Sequence, residues 1–211
     1  MRPAIKICGM KYNIAEVAGL GPDYLGFIFY DSSPRNYVGE IPDIPDHIKK
    51  VGVFVNSSLE FINKCIRNHH LQVIQLHGDE SVEFCSSLRA AHANSSTQPI
   101  EIWKVFHILD SFDFKRLQPF ERYVNAFLFD TKGTTRGGTG TAFDWNVLKD
   151  YNSKIPFVLS GGIGPGDLQK LKKAFSLGIS VKAIDINSRF ETEPGLKDIE
   201  KLKKFIDEIQ C

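Results

Sequence analysis

The chain has 211 residues, 42% of them hydrophobic and 24% charged, which suits a single domain with a substantial core and excludes a disordered chain. Its 26 Lys and Arg against 25 Asp and Glu leave a formal net charge of +1, so there is no electrostatic footprint for nucleic acid, and the KK and KLKK runs read as solvated helix faces. No run reaches the ~18 apolar residues of a membrane span, "MRPAIKICGMKYN" lacks a signal-peptide layout, and Cys8, Cys65, Cys85 and Cys211 form no CxxC pair, so a cytoplasmic chain with free thiols and no membrane partner is expected.

In chain order, the strand candidates are "AIKIC", "YLGFIF", "KKVGVFV", "LQVIQLH", "EIWKVF", "AFLFD", "PFVLSG" and "VKAIDI". Most of the intervals carry helical spacing. Leu59, Ile62, Cys65 and Ile66 share one face, as do Leu168, Leu171, Ala174 and Phe175, with Pro165 near a helix start and Gly178 as a stop. Ile199, Leu202, Phe205, Ile206 and Ile209 form the stripe of a last helix. The polar stretch from Arg89 to Ile100 reads as a helix end and surface loop. No Pro/Gly/Ser tract divides the chain, so residues 1–211 are expected to form one domain. Strand–helix alternation implies right-handed crossovers and a parallel sheet. Eight strands either close into an α/β barrel, the (β/α)8 TIM barrel, or remain an open doubly wound sheet; the number favours closure.

Side-chain alternation separates two faces on these strands. Lys6 and Cys8 oppose Ile5 and Ile7, and Gln75 and His77 oppose Ile74 and Leu76. Lys104 opposes Trp103 and Val105, Asp130 opposes Phe129, Ser160 opposes Leu159, and Asp185 opposes Ile184 and Ile186. A barrel accounts for this pattern by turning the polar residues inward, toward the C-terminal mouth where such folds keep their chemistry. An open sheet covered on both sides would bury those charges at high cost.

Each candidate has a bland reading beside a chemical one. Cys8 is a small buried hydrophobe, or a thiol whose ionisation the neighbouring Lys6 favours. Asp130 caps a turn, or faces a ligand beneath the glycine-rich loop that carries Gly137, Gly138 and Gly140 as a lid. Gly161 and Gly162, and then Asn187 and Ser188, are tight connections or phosphate nests after the last two strands. Arg35 is a surface arginine, or a fork for a carboxylate. The histidines form no HExxH or HxH arrangement, and His77 alone faces the expected interior, so no metal site is expected.

Blocks along nearly the whole chain resemble the phosphoribosylanthranilate isomerase family. They are "KICGM", "GFIFYDSSPR", "VGVFVN", "QLHGDE", "LFDT", "GGTGTAFDW", "LSGGI" and "IDINSRFETEPGLKD". The resemblance implies a (β/α)8 barrel that needs no metal or organic cofactor. It implies an aldose–ketose isomerase of tryptophan biosynthesis acting on N-(5-phospho-β-D-ribosyl)anthranilate, a small phosphorylated molecule. It assigns the general base to Cys8, the general acid to Asp130 and the substrate carboxylate to Arg35. Phosphate falls to the amides of Gly161 and Gly162 and of the loop at Asn187 and Ser188. Lys6, His77 and Asp185 are further pocket candidates. One position departs from the pattern: Arg189 stands where the family usually has glycine. The resemblance is compatible with a monomer or a homodimer. Competing readings are indole-glycerol-phosphate synthase, a metal-dependent pentose-phosphate epimerase and a catalytically silent binding barrel.

Overall fold

Eight short apolar runs cannot each bury two faces alone, and they solve this by pairing side by side in sequence order until the last meets the first. The computed structural model describes residues 3–93, 99–108, 111–131, 144–175 and 181–210. Its strands are β1 (Ala4–Ile7), β2 (Tyr24–Phe29), β3 (Lys49–Phe54), β4 (Val73–Leu76), β5 (Glu101–Ile108), β6 (Ala126–Thr131), β7 (Phe157–Leu159) and β8 (Val181–Ile186). All neighbours are parallel, and β1 pairs with β8 at Lys6↔Asp185 and Ile7↔Ile186, closing the barrel. The chain is a (β/α)8 barrel.

Two apolar layers follow from the alternation. Tyr24, Val51, Val73, Trp103, Val105, Ala126, Leu128, Val158 and Ala183 fill the barrel interior. A larger layer, including Phe27, Phe54, Phe127, Phe129 and Phe157, packs outward beneath the crossover segments. At about 25 cal/mol per Å² of apolar surface, each such buried ring contributes a few kcal/mol.

The helices are α1 (Ile14–Ala18), α2 (Leu59–His69), α3 (Val82–Ala91), α4 (Leu168–Phe175) and α5 (Ile199–Gln210). Ser58 and Ser81 cap α2 and α3 by accepting from the amides of Phe61 and Phe84. The expected stripes are buried at Ile62 and Cys65, at Leu171, and at Leu202, Phe205 and Ile206. Gly178 lies outside the described residues.

Three crossovers depart from the expected helices. Between β2 and β3 the described chain runs through turns, where Pro34, Pro42 and Pro45 remove amide donors and forbid a helix interior. After β5 and β6 stand 3-10 helices, Phe114–Phe120 with Pro119 inside and Trp145–Asp150. Asp144 caps the latter by accepting from the Asn146 amide. A small antiparallel hairpin after β8, made of β9 (Glu191–Glu193) and β10 (Leu196–Lys197), was not anticipated from the sequence.

Lys104 does not face the interior. Trp103 and Val105 do, so Lys104 lies on the outer face. There its ammonium donates to the Gly78 carbonyl at 2.8 Å and to Glu80 at 3.1 Å. Glu80 in turn accepts from the amides of Asn56 and Gly78. The "HGDE" segment after β4 is thus held from behind by a buried ion pair.

Candidate active site

The mouth of the barrel opens into a cavity of about 350 Å³, edged by Cys8, Arg35, Gln75, His77, Asp130, Ser160, Gly161, Gly162, Asp185, Asn187 and Ser188. That volume lies within the range of small-molecule sites. These residues come from six strand ends and their loops, and they include every base, acid, carboxylate and phosphate candidate named above; Lys6 lies just beneath, and Lys104 and Arg189 do not edge the cavity. Gly137, Gly138 and Gly140 lie outside the described residues.

Cys8 ends β1, its amide donating to the Ile186 carbonyl at 2.9 Å and so extending the pairing with β8. Its sulfur is crowded from β2, where a Cβ on Gly26 would lie 2.9 Å from Sγ. Only a glycine lets the neighbouring strand pass this close. Below it, the buried Lys6 donates to Asp185 Oδ1 at 2.7 Å, and Ser160 donates to Asp185 Oδ2 at 3.3 Å. The Lys6 charge also acts on the Cys8 thiol above it. The lysine charge favours a thiolate, as the sequence suggested. Burial opposes it more strongly, with Asp185 adding to the effect, and the Cys8 thiol stands above its ordinary 9.0. The ordering is the reverse of the one expected for a ready-made base. The physical reason is burial first, and then the Asp185 carboxylate, which offsets the pull of Lys6.

Asp130 ends β6 and accepts from the Thr131 amide at 2.8 Å. His77 Nε2 lies 3.4 Å from Asp130 Oδ2, close but too poorly aimed for a good hydrogen bond. Burial is the largest single influence on the Asp130 carboxyl and pushes it up. The His77 contact, the charges of His77 and His107 and the Thr131 amide together outweigh it, holding the group below its ordinary 3.8. The direction is opposite to the one a general acid that starts protonated would need. Two imidazoles on neighbouring strands are the cause.

His107 is the residue that sequence reasoning missed. Trp103, Val105 and His107 share the inward face of β5, and the register places His107 opposite Asp130. Its ring centroid lies 5.4 Å from that of His77. His77 is therefore not alone at the mouth. Extending the fifth strand two residues and reversing its faces would have found the pair.

On the far side of the cavity, Arg35 is held in a bidentate pair. Its Nε lies 3.0 Å and its Nη2 2.6 Å from Glu191 Oε2. Glu191 also accepts from the fully buried Lys197 at 2.7 Å, and Lys197 donates to Asn187 Oδ1 at 2.8 Å. The two lysine and arginine partners hold the Glu191 carboxyl below its ordinary 4.5 against the opposing effect of burial. The unanticipated β9–β10 hairpin supplies both Glu191 and Lys197, and so anchors the arginine from behind.

Gly161 has φ +91°, and a Cβ there would lie 2.3 Å from Thr131 Oγ1 and 3.0 Å from Asp130 Oδ1. The glycine is required both by its left-handed backbone and by this contact with the end of β6. Asn187 and Ser188 open the 3-10 turn Ser188–Phe190. Arg189 sits in that turn without positive φ, so the arginine imposes no left-handed strain where the family usually has glycine.

The family model for N-(5'-phosphoribosyl)anthranilate (PRA) isomerase matches residues 5–208. The chain is 40% identical to the N-(5'-phosphoribosyl)anthranilate isomerase of Parabacteroides distasonis, with 97% of this chain and 92% of that protein covered. The crystal structure of phosphoribosyl anthranilate isomerase from Thermotoga maritima is similar at a TM-score of 0.81 and 28% identity, covering 99% of this chain and 98% of that one. A crystal structure of a phosphoribosyl anthranilate isomerase in complex with reduced 1-(o-carboxyphenylamino)-1-deoxyribulose 5-phosphate is similar at 0.75 and 27%, covering 99% and 98%. From barrel closure, cavity and whole-length similarity together, the chain belongs to the N-(5'-phosphoribosyl)anthranilate isomerase family.

Proposed function

We propose that Cys8 and Asp130 are the general base and general acid of the family reaction. That reaction is the Amadori rearrangement of N-(5-phospho-β-D-ribosyl)anthranilate to 1-(2-carboxyphenylamino)-1-deoxy-D-ribulose 5-phosphate, in tryptophan biosynthesis. The observation that carries the assignment is that one cavity is edged by the thiol, the carboxyl, an anchored arginine and a glycine turn.

Asp130, protonated, delivers its proton to the ribose ring oxygen as the bond from C1′ to that oxygen breaks. The resulting Schiff base acidifies the hydrogen on C2′. Cys8, as thiolate, removes it, and the enolamine tautomerises to the ketone. Each positioned proton-transfer group contributes about 10²–10⁴ in rate. The free site favours thiol and carboxylate, whereas the reaction uses thiolate and acid. These two states carry the same number of protons, so their ratio does not change with pH between the two pKa values. Bringing substrate between the groups then requires only an internal redistribution, with no proton taken from solvent.

Arg35 uses Nε and Nη2 against Glu191, and the reading assigns its Nη1 edge to the anthranilate carboxylate. Gly161, Gly162, Asn187 and Ser188 take the phosphate through backbone amides. Gly137, Gly138 and Gly140 belong to the closing loop in this reading. The whole chain, 1–211, acts as one barrel domain, supported by the pairing of its first and last barrel strands. Free thiols at Cys8, Cys65 and Cys85 support a cytoplasmic location. A monomer or a homodimer is compatible with this reading, since the groups it uses all come from one chain.

The test is the fluorescence change of the anthranilate substrate on turnover. The wild-type chain is expected to turn over, and Cys8→Ala and Asp130→Asn to lose most of that activity while keeping their circular dichroism. Unchanged turnover in either variant rejects the role given to that residue.

A further inference from the structure

The family reaction leaves the two histidines at the mouth without a step of their own. His77, His107 and Asp130 each offer one ligand-type atom, and these atoms all lie within 4.8 Å of one another. Two imidazole nitrogens and one carboxylate oxygen on the ends of three adjacent strands make a donor set that suits borderline divalent cations. It does not suit magnesium or calcium, which take oxygen ligands. We propose that His77, His107 and Asp130 form a binding site for one zinc-like divalent cation, whose occupancy blocks the acid end of the active site.

Three features support the site. Parallel pairing of β4, β5 and β6 fixes the three side chains on one rigid wall, with His107 and Asp130 directly opposite in register. Gln75 lies 3.0 Å from His77 Nδ1 through its amide nitrogen, while its amide oxygen is buried and without a hydrogen bond. With the amide turned over, that oxygen accepts from Nδ1–H and leaves Nε2 a lone pair directed into the cluster. This is the outer partnership by which protein ligands of this kind are oriented. His77 and Asp130 are only 15% and 14% exposed, so a cation entering from the cavity is held away from bulk solvent. The remaining coordination positions face the cavity, where water or a substrate anion completes the shell.

The blocking effect, though not the binding, rests on Asp130 being the general acid: a carboxylate bound to a cation has no proton to deliver. The experiment titrates the metal-stripped full chain with Zn²⁺ by calorimetry and with Co²⁺ by absorption spectroscopy, and measures isomerase turnover on the same samples. One Zn²⁺ per chain is expected. The Co²⁺ spectrum should show visible bands without the intense near-ultraviolet band of thiolate ligation. His107→Gln and His77→Gln, each confirmed folded by circular dichroism, should weaken binding at least about 10-fold, a loss that removing even an outer partner of a ligand can produce. Cys8→Ser should bind as the wild type does. Absence of stoichiometric binding, or equal affinity in both histidine variants, overturns the site. So does a thiolate band that disappears in Cys8→Ser. Binding that leaves turnover intact overturns the blocking claim and the acid role of Asp130, while the site itself stands.

Discussion

The thiol side and the carboxyl side of the mouth are both crowded with cations, but of different kinds. Around Cys8 stand Lys6 and Lys197, each fully buried and each matched to a carboxylate, Asp185 or Glu191. Around Asp130 stand His77, which edges the cavity, and His107 beside it, both partly exposed. One side thus presents cations balanced within closed ion pairs, whereas the other sets two imidazoles beside one carboxyl. On the balanced side burial pushes the Cys8 thiol up, and Asp185 adds to this, against the opposing charges of Lys6 and Lys197. On the other side burial pushes the Asp130 carboxyl up, but the contact with His77, the charges of His77 and His107 and the Thr131 amide together outweigh it.

The comparison breaks most directly at its two centres. Cys8→Ala and Asp130→Asn are each expected to lower kcat by about 10²–10⁴-fold, read by steady-state fluorescence. A much smaller loss in one than in the other would show that the two sides do not share the proton work.

The next largest effect tests how fixed the balanced side is. Lys6→Met removes the cation but leaves Asp185 buried, and is expected to destabilise the fold by about 3–5 kcal/mol. Urea denaturation of the variant measures this. A change below about 1 kcal/mol would mean that Asp185 finds its compensation elsewhere.

A smaller effect is expected behind the arginine. Glu191→Gln loosens both Arg35 and Lys197 without touching the thiol. It should raise KM by about 10-fold with kcat nearly kept, the pattern of lost ground-state binding. A fall in kcat with KM unchanged would instead place Glu191 in the proton chemistry.

The smallest effects are in pH dependence. Cys8 has a raised pKa in the folded chain, so its stabilising contribution is complete below 9.0 and is lost as pH rises through the folded value. Asp130 has a lowered one, so its contribution is present above 3.8 and is lost as pH falls through the folded value. Thermal melts of Cys8→Ser should lack part of the alkaline loss seen in the wild type, and those of Asp130→Asn part of the acid loss. In the same way, kcat/KM should show no acid limb from Asp130 above pH 3.8 and no alkaline limb from Cys8 below pH 9.0.

All eight barrel strands were legible, because each is an apolar run bounded by turn residues and each recurs after a crossover. The small hairpin was not. Its strands, Glu191–Glu193 and Leu196–Lys197, are short and mostly charged, and their order comes from the Arg35–Glu191–Lys197 contacts rather than from alternation. Cys8, Asp130 and the Gly161–Gly162 turn were legible as cavity residues because they sit at strand ends, whereas Arg35, on the loop after β2, was legible only through the family resemblance. His107 was hidden by Lys104. A charge on an apolar strand looks like an inward polar residue, and nothing local reveals that Glu80 and the Gly78 carbonyl wait for it on the outside. The directions of the Cys8 and Asp130 shifts were illegible for the same reason. They depend on pairs formed by residues as far apart in the chain as Lys6 and Asp185.

The seam between β1 and β8 gives the molecule a schedule. Cys8 lies near the beginning of the chain, yet the strand that receives its amide, and the aspartate and hairpin that surround it, are the last parts of the barrel to leave the ribosome. A nascent chain of which residues 181–210 are still unmade carries Cys8, Asp130 and Arg35 but lacks the wall that joins them. The working centre is therefore complete only once the last barrel strand and the hairpin have been made.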